Sequence, residues 1–270
     1  RTGWYHTLSS QIDIDAKVER WKLKLMRWRK RLVFNAATHI VPASQAASKD
    51  VEQVFRIPHS KCRVFYNSLA DPISIEADDV EYHSRTEQSP KLVCAGRLYP
   101  TKGQDVLIRA VALLKEKGLD ARVEFLGCGP EEDNLKSLAS SLGIKDQCQF
   151  LGALPPYEVL SHLKAATVSV VPSRIDNNPL VVIESLSLGI PVVASGVGGI
   201  LESMTDGREG FLVAPDDHIA LAEKLSALLT NPELHRTMSI NARNRFLTQF
   251  EQKRIVTEQA NWFESLVARA

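Results

Sequence analysis

The sequence predicts an α/β protein built around a doubly wound, parallel, Rossmann-like sheet. Between residues 91 and 230, short apolar runs typical of strands alternate with amphipathic stretches typical of helices. The strand-like runs are apolar almost throughout, as parallel strands are when helices cover both faces of a sheet. Glycine follows four of the first five runs, which lets another group approach the backbone closely at these ends.

Local signals then place each element of this region. Strands are predicted at 91–98, 121–127, 148–152, 167–173, 191–195 and 210–215, and helices at 103–118, 130–143, 155–166, 179–189 and near 217–230, 232–247 and 251–268. Gly118 and Gly143 lie where the first two helices are expected to end, and Pro130 is predicted at the first helical position of the second.

The first 90 residues are less regular. Short strands are predicted at 37–42 and 62–67, and the helix between them, at 44–55, is expected to begin at a cap formed by Ser44. Residues 68–90 are polar and hold few large apolar side chains, which favours a linker.

Composition and charge exclude several classes of protein. A net charge of +1 over 270 residues gives no sign of a nucleic-acid partner. The four cysteines have no C-x-x-C spacing, so neither a zinc knuckle nor a disulfide framework is indicated, and reduced thiols favour a cytoplasmic protein. No apolar run approaches the roughly 18 residues of a membrane span.

Charged and glycine residues follow the first two strands, at the sheet edge where such folds bind ligands. Gly96, Arg97 and Lys102 follow the first strand, and Gly127 follows the second. Two cations beside helix N-termini favour a phosphate-bearing ligand, although both could also be solvated loop charges. The spacing fits neither a P-loop nor the G-x-G-x-x-G of dinucleotide oxidoreductases.

A second candidate region follows the fourth strand, in "SRIDNNPLVVIESLSLGIPVVAS" (173–195). Asn178 is predicted as the N-cap of the next helix and Pro179 as its first residue. The backbone N–H groups of Leu180 and Val181 would then be free to donate to an anion.

Two acids in the same stretch are unusual on a mostly apolar segment. Asp176 lies before the helix, and Glu184 about one and a half turns inside it. A carboxylate there is costly to bury without a partner, and ligand hydroxyls would satisfy it. The alternative is that Glu184 pairs with a nearby backbone amide or cation.

With these motifs in order, the chain resembles the retaining glycosyltransferases of family 4, which have the GT-B fold. The resemblance rests on the acid-x7-Glu pattern with "SLGIPVVAS", and on "CAGRLYPTKGQDVLIRA", "VEFLGCGPEEDNL" and "GREGFLVAPDD". It implies a Rossmann-like nucleotide-sugar domain over 91–247, after a linker at 76–90. It also implies an incomplete acceptor-side domain over 1–75, as in a fragment, and a C-terminal helix over 248–270 that returns towards it.

The resemblance assigns roles to the candidate residues. Arg97 and Lys102 would hold the diphosphate of a nucleotide-sugar, Glu184 the ribose hydroxyls and Asp176 the donor sugar. His6 would be a histidine near the sugar and the acceptor, unless it is a surface histidine. The remaining donor-site residues that it implies are Gly96, Gly127, Leu151 (facing the base), Asn178, Pro179, Leu180 and Val181.

The implied activity is retaining transfer of a sugar to a glycan or lipid-linked acceptor, without metal or cofactor. One alternative is a truncated module that binds a nucleotide-sugar but does not transfer it. Another is a different enzyme of the same fold, such as an epimerase or a phosphorylase. No segment resembles a pyridoxal-phosphate lysine site, which argues against the phosphorylase.

Residues 17–34 are predicted to form a basic amphipathic helix. Val18, Trp21, Leu25, Trp28 and Leu32 follow 3-4-3-4 spacing, and eight Lys or Arg residues flank this stripe. Such a helix can lie on an anionic membrane surface, which would give the cytoplasmic protein a peripheral membrane contact. The alternative is that the stripe packs on the first domain and the cations are solvated.

Overall fold

The computed structural model describes residues 20–73 and 90–268. The helices are α1 (Arg20–Ala36), α2 (Gln45–Phe55), α3 (Gln104–Glu116), α4 (Glu132–Ser141), α5 (Pro156–Lys164), α6 (Leu180–Ser187), α7 (Ile200–Ser203), α8 (His218–Thr230), α9 (Pro232–Gln249) and α10 (Gln252–Val267). The strands are β1 (Lys91–Ala95), β2 (Arg122–Leu126), β3 (Cys148–Gly152), β4 (Val168–Val171), β5 (Val192–Ser195) and β6 (Gly210–Val213).

The six strands form one parallel sheet in the order β3-β2-β1-β4-β5-β6, which confirms the predicted fold class. Strand order reverses between β1 and β4, because successive strands add outward on opposite sides of this pair. The loops that follow β1 and β4 therefore run to opposite faces of the sheet and leave a crevice between them. This crevice positions the candidate site.

Alternation of side chains along the strands divides the core into two layers. In β1, Leu92 enters the layer under α3, α4 and α8, whereas Val93 enters the layer under α5, α6 and α9. Both side chains are fully buried. Burial on both faces explains why the strands are apolar throughout rather than at every second residue.

The two strands predicted in the first 90 residues are wrong. Segments 37–42 and 62–67 form a single parallel bridge, between Ile40 and Cys62, and one more backbone hydrogen bond, from the Phe65 N–H to the Pro42 carbonyl. A strand is stabilised by a continuous ladder of hydrogen bonds, and within residues 20–73 these segments have only each other as partners. The helix between them is confirmed, since the Ser44 hydroxyl accepts a hydrogen bond from the Ala47 N–H at 3.0 Å.

The start of α4 also differs from the prediction. Pro130 lies in the preceding turn, and the helix begins at Glu132. The Glu131 N–H donates to the carbonyl of Leu98 at 3.2 Å, so this residue is held by the loop after β1. This bond and the turn in which the Glu132 N–H donates to the Gly129 carbonyl, at 3.3 Å, place Pro130 before the first helical residue.

Glu202, on α7, joins the N-terminal segment (residues 20–73) to the domain that contains the sheet. Its carboxylate accepts hydrogen bonds from the Gln45 and Ala46 N–H groups, at 2.7 and 2.8 Å, and from the Tyr66 hydroxyl at 3.0 Å. A carboxylate at the start of α2 also interacts favourably with the helix dipole. Burial, and then the Glu202 charge, raises the pKa of Tyr66 to about 12.

The C-terminal helix contacts the same N-terminal segment. The Trp262 ring on α10 lies 5.3 Å from that of His39 and 5.5 Å from that of Phe65. The expected domain boundary at 247 falls inside α9, and residues 74–89, which include most of the expected linker, lie outside the described ranges. Over the described ranges, the helices are too short or too polar to span a bilayer.

We expect Glu202→Ala to lower the free energy of unfolding by about 2 kcal/mol, because three donors at the junction lose a charged acceptor. Urea denaturation measures this change. Glu223→Ala, at an exposed position of α8, is the control and should change stability by less than about 0.5 kcal/mol. Equal stability of the two variants would show that the junction contributes little.

Candidate functional site

The loops after β1 and β4 interlock at the crevice. Gly103 ends the turn that carries Lys102, with φ 67°, and a Cβ at this position would lie 2.0 Å from the Pro172 carbonyl oxygen. The Arg174 N–H also donates to the Thr101 carbonyl at 2.8 Å. Only glycine fits such an approach, so this residue holds the two loops in backbone contact.

Glycines after β1 and β2 serve the same purpose. A Cβ on Gly127 would lie 2.1 Å from the Gly96 carbonyl oxygen, and one on Gly129 would lie 2.2 Å from that of Leu98. The Gly127 N–H donates to the Gly152 carbonyl at 2.7 Å. The predicted residues Gly96 and Gly127 therefore touch one another, and they pack the strand-end loops together.

Lys102 and Asp176 form an ion pair across the crevice. The Lys102 Nζ donates to Asp176 Oδ2 at 2.6 Å, and the Ser173 hydroxyl donates to the same oxygen at 3.2 Å. Both side chains are largely buried, with exposed fractions of 20% and 10%. Over residues 20–73 and 90–268, Asp176 Oδ1 has no such partner, which leaves one carboxylate oxygen able to accept from a ligand.

The prediction that Asn178 caps α6 is wrong. The helix begins at Leu180, Pro179 occupies the N-cap position and no side chain caps it. A residue before proline favours an extended backbone, and the Asn178 carboxamide instead donates to the Ala43 carbonyl at 2.8 Å. Its own carbonyl accepts from the Asn67 side chain at 3.0 Å, so Asn178 ties the site to the N-terminal segment.

The start of α6 presents donors to the crevice. Because the cap position holds proline, no side chain of the described ranges accepts from the N–H groups of Leu180 and Val181. The Pro179 carbonyl is already used by the Val182 N–H, at 3.2 Å. Two free amides at a helix N-terminus are well suited to an anion.

Glu184 lies farther along the same helix. Its neighbours Val181 and Ile183 are buried in the core, and burial raises the pKa of the Glu184 carboxyl above its usual range. Among residues 20–73 and 90–268, no side chain or amide bonds this carboxyl, so the alternative pairing is not found there. A half-buried carboxylate with this environment is a candidate binding group.

Arg97 is exposed at the opposite side of the crevice. Its guanidinium carbon lies 5.1 Å from the centre of the Tyr99 ring, and the Gln104 side chain donates to its carbonyl at 3.0 Å. In the described part of the chain it has no acidic partner. The aromatic contact orients the cation while its N–H donors stay accessible.

Two predicted residues are not brought into this group. Leu151 is half-buried on β3, the edge strand, two strand positions from β1 and therefore roughly 10 Å away. His6 lies outside the described residues, so its assignment stays a prediction. The turn at 197–200 also contacts the site, since the Gly199 N–H donates to the backbone carbonyl of Asp176 at 3.1 Å.

Sequence reasoning missed the side chains that support the site. Ser173 and Arg174 were visible after the fourth strand, but nothing in their spacing assigned a partner. Asp105 and Asp216 both bind Arg174, at 2.8 and 2.7 Å, from positions 69 and 42 residues away. Pairs so distant along the chain leave no local signal.

The described ranges contain no group of three or more His, Cys, Asp or Glu side chains placed to hold a metal ion. The expectation of a reaction without metal or cofactor stays a prediction, because this finding concerns protein ligands alone.

Comparison with known proteins gives a family match. The model of the family described as "Glycosyl transferases group 1" matches residues 77–245. The GDP-mannose-dependent alpha-(1-6)-phosphatidylinositol monomannoside mannosyltransferase of Mycolicibacterium smegmatis is 32% identical over 60% of this chain and 44% of its own length. A D-inositol 3-phosphate glycosyltransferase of Corynebacterium glutamicum is 34% identical over 66% and 48%. The chain thus spans less than half of either relative.

Solved structures share the fold at lower identity. Sucrose-phosphate synthase from Thermosynechococcus elongatus superposes with a TM-score of 0.82 at 22% identity, over 98% of this chain and 67% of that one. Anabaena HepE, in complex with UDP and glucose, gives 0.76 at 22% identity, over 87% and 65%.

We expect Glu184→Gln to stabilise the protein relative to wild type as the pH rises. The raised pKa means that the folded state favours the protonated carboxyl, so its stabilising effect is lost as pH rises through the folded-state pKa. Urea unfolding of both proteins at about pH 4 and about pH 8 tests this. Glu223→Gln is the exposed control, and a pH-independent difference for Glu184→Gln would contradict the prediction.

Proposed function

Because the chain belongs to the family described as glycosyl transferases group 1, we propose that it takes part in transferring a sugar from a nucleotide-sugar donor to a glycan or lipid-linked acceptor. The expected relationship to GT-B glycosyltransferases is confirmed by this match and by the shared fold. The observation that carries the proposal is the set of unsatisfied groups at the crevice: Arg97, the amides that open α6, and Glu184.

These groups fit the parts of a nucleotide-sugar. Arg97, Lys102 and the amides of Leu180 and Val181 offer positive charge and N–H donors to a diphosphate. The Glu184 carboxylate would accept hydrogen bonds from the two ribose hydroxyls, which would replace the water that burial removes. Asp176 Oδ1 would accept from a hydroxyl of the donor sugar.

The proposed reaction exchanges one bond at the anomeric carbon for another. The bond from this carbon to the distal phosphate oxygen breaks, and a bond from an acceptor hydroxyl oxygen forms on the same face, so the configuration is retained. The hydroxyl proton passes to the departing phosphate oxygen. Arg97 and Lys102 would stabilise the negative charge on the leaving diphosphate, a task that needs no metal in this scheme.

A donor-binding module without full transferase activity is the second candidate. It is favoured by the groups at the crevice, since Arg97, the amides that open α6 and Glu184 would all contact the donor. Donor binding is common to both candidates. Transfer of labelled sugar from donor to acceptor separates them.

We expect Arg97→Ala and Glu184→Ala each to abolish donor binding, because Arg97 is a cation without an acidic partner in the described ranges and Glu184 is the carboxylate proposed for the ribose. A thermal-shift panel of UDP-, GDP- and ADP-sugars identifies the donor, since a ligand that binds only the folded state raises the melting temperature. Calorimetry with the matching nucleoside diphosphate then quantifies the loss.

Arg122→Ala is the control for this experiment, because this exposed arginine begins β2 at the opposite end of the sheet. It should bind as wild type does. Undiminished affinity in both the Arg97 and the Glu184 variant would refute the site.

We further propose a peripheral membrane contact through α1, within the predicted segment 17–34. Phe34 anchors the helix, with its ring 5.0 Å from that of Phe55 on α2. Leu25, Trp28 and Leu32 remain between 46% and 57% exposed. Seven cations and no acid share this helix: Arg20, Lys22, Lys24, Arg27, Arg29, Lys30 and Arg31. Exposed apolar residues beside cations fit an anionic lipid surface.

Vesicle flotation tests this contact. Recovery with vesicles containing phosphatidylserine should exceed recovery with phosphatidylcholine alone by at least about tenfold, since two cations near an anionic surface, at about 1 kcal/mol each, already supply the roughly 1.4 kcal/mol that tenfold requires. A triple serine variant of Leu25, Trp28 and Leu32 should lose the binding. Equal recovery with neutral and anionic vesicles would refute the proposed membrane contact.

A further inference from the structure

Arg174 is not among the proposed ligand-binding residues, yet three segments converge on its guanidinium. Nε donates to Asp216 Oδ1 at 2.7 Å. Nη1 and Nη2 donate to the two carboxylate oxygens of Asp105, at 2.9 and 2.8 Å, and Nη1 also donates to the Pro100 carbonyl. The side chain therefore bridges the loops after β1, β4 and β6.

The number of donors decides between a ligand-binding and a structural role. A guanidinium has five N–H donors, and the contacts of Arg174 use four of them. Two carboxylates already neutralise its charge. Arg174 is therefore poorly placed to bind a phosphate, in contrast to Arg97, which has no acidic partner in the described ranges.

The contacts of Arg174 act on both members of the Lys102–Asp176 pair. Its backbone N–H donates to Thr101 and its side chain to Pro100, the two residues that precede Lys102 in one short turn. Asp176 follows Arg174 by two residues in the other loop. The Arg174 side chain thus holds the turn that carries Lys102 against the loop that carries Asp176.

We propose that Arg174 is a positioning residue, which holds Lys102 where it can bind the diphosphate of the donor. This inference rests on the proposed function and deepens it. The planar fork of arginine matches the Asp105 carboxylate, so lysine would keep the charge but lose the geometry. Asp216 takes a left-handed backbone, with φ 64°, and from there its carboxylate reaches Nε.

Calorimetric titration with UDP, GDP and ADP tests the proposal. Arg174→Ala should weaken binding of the preferred diphosphate by about tenfold, because a small displacement of a charged group loses much of its interaction. Arg174→Lys should also weaken it, and Arg122→Ala should not. Should Arg174→Ala fail to fold, Asp216→Gly removes the carboxylate that accepts from Nε, tolerates the left-handed backbone and should weaken binding in the same direction.

A double-mutant cycle separates positioning from a general structural effect. In a Lys102→Ala background, Arg174→Ala should change affinity by less than about twofold, since the group that it positions is absent. A full and additive loss in that background would overturn the proposal, as would wild-type affinity of Arg174→Ala alone. No binding of any diphosphate by the wild type would instead overturn the proposed function, and the role of Arg174 with it.

Discussion

The site depends on a backbone contact between two loops, the one at Gly103 and the Pro172 carbonyl. The sheet brings the loops after β1 and β4 to the same edge, but their approach is close enough to exclude a Cβ, which would lie 2.0 Å from that oxygen. The Lys102–Asp176 pair bridges the two loops, and the Arg174 side chain donates to the Pro100 carbonyl in the turn that carries Lys102. The side-chain geometry of the crevice follows from that contact.

The polar groups around the crevice are of two kinds. Lys102 pairs with Asp176 Oδ2, and Arg174 pairs with Asp105 and Asp216, and these contacts give the crevice its shape. Glu184 and the first amides of α6 have no acceptor or donor in the described ranges. Groups left unpaired in an otherwise satisfied site are those on which ligand binding should depend.

The N-terminal segment is part of this arrangement. Asn178, beside the candidate sugar-binding carboxylate, bonds Ala43 through its side chain and Asn67 through its carbonyl. Glu202 accepts hydrogen bonds from the start of α2, which begins two residues after Ala43. A shift of the segment would therefore be transmitted to the loop that carries Asp176, which gives the junction a consequence for the site as well as for stability.

The sequence by itself determined the parallel sheet, the two acids, the cations after the first strand and the family, because apolar runs, helix signals and ordered motifs are local. The tertiary structure decided the rest. Asn178 bonds Ala43 instead of capping α6, α4 begins two residues late, and 37–42 with 62–67 form one bridge. Each of these features depends on a partner distant in sequence, and so do the ion pairs of Arg174 with Asp105 and Asp216. Local propensity carries no information about such partners.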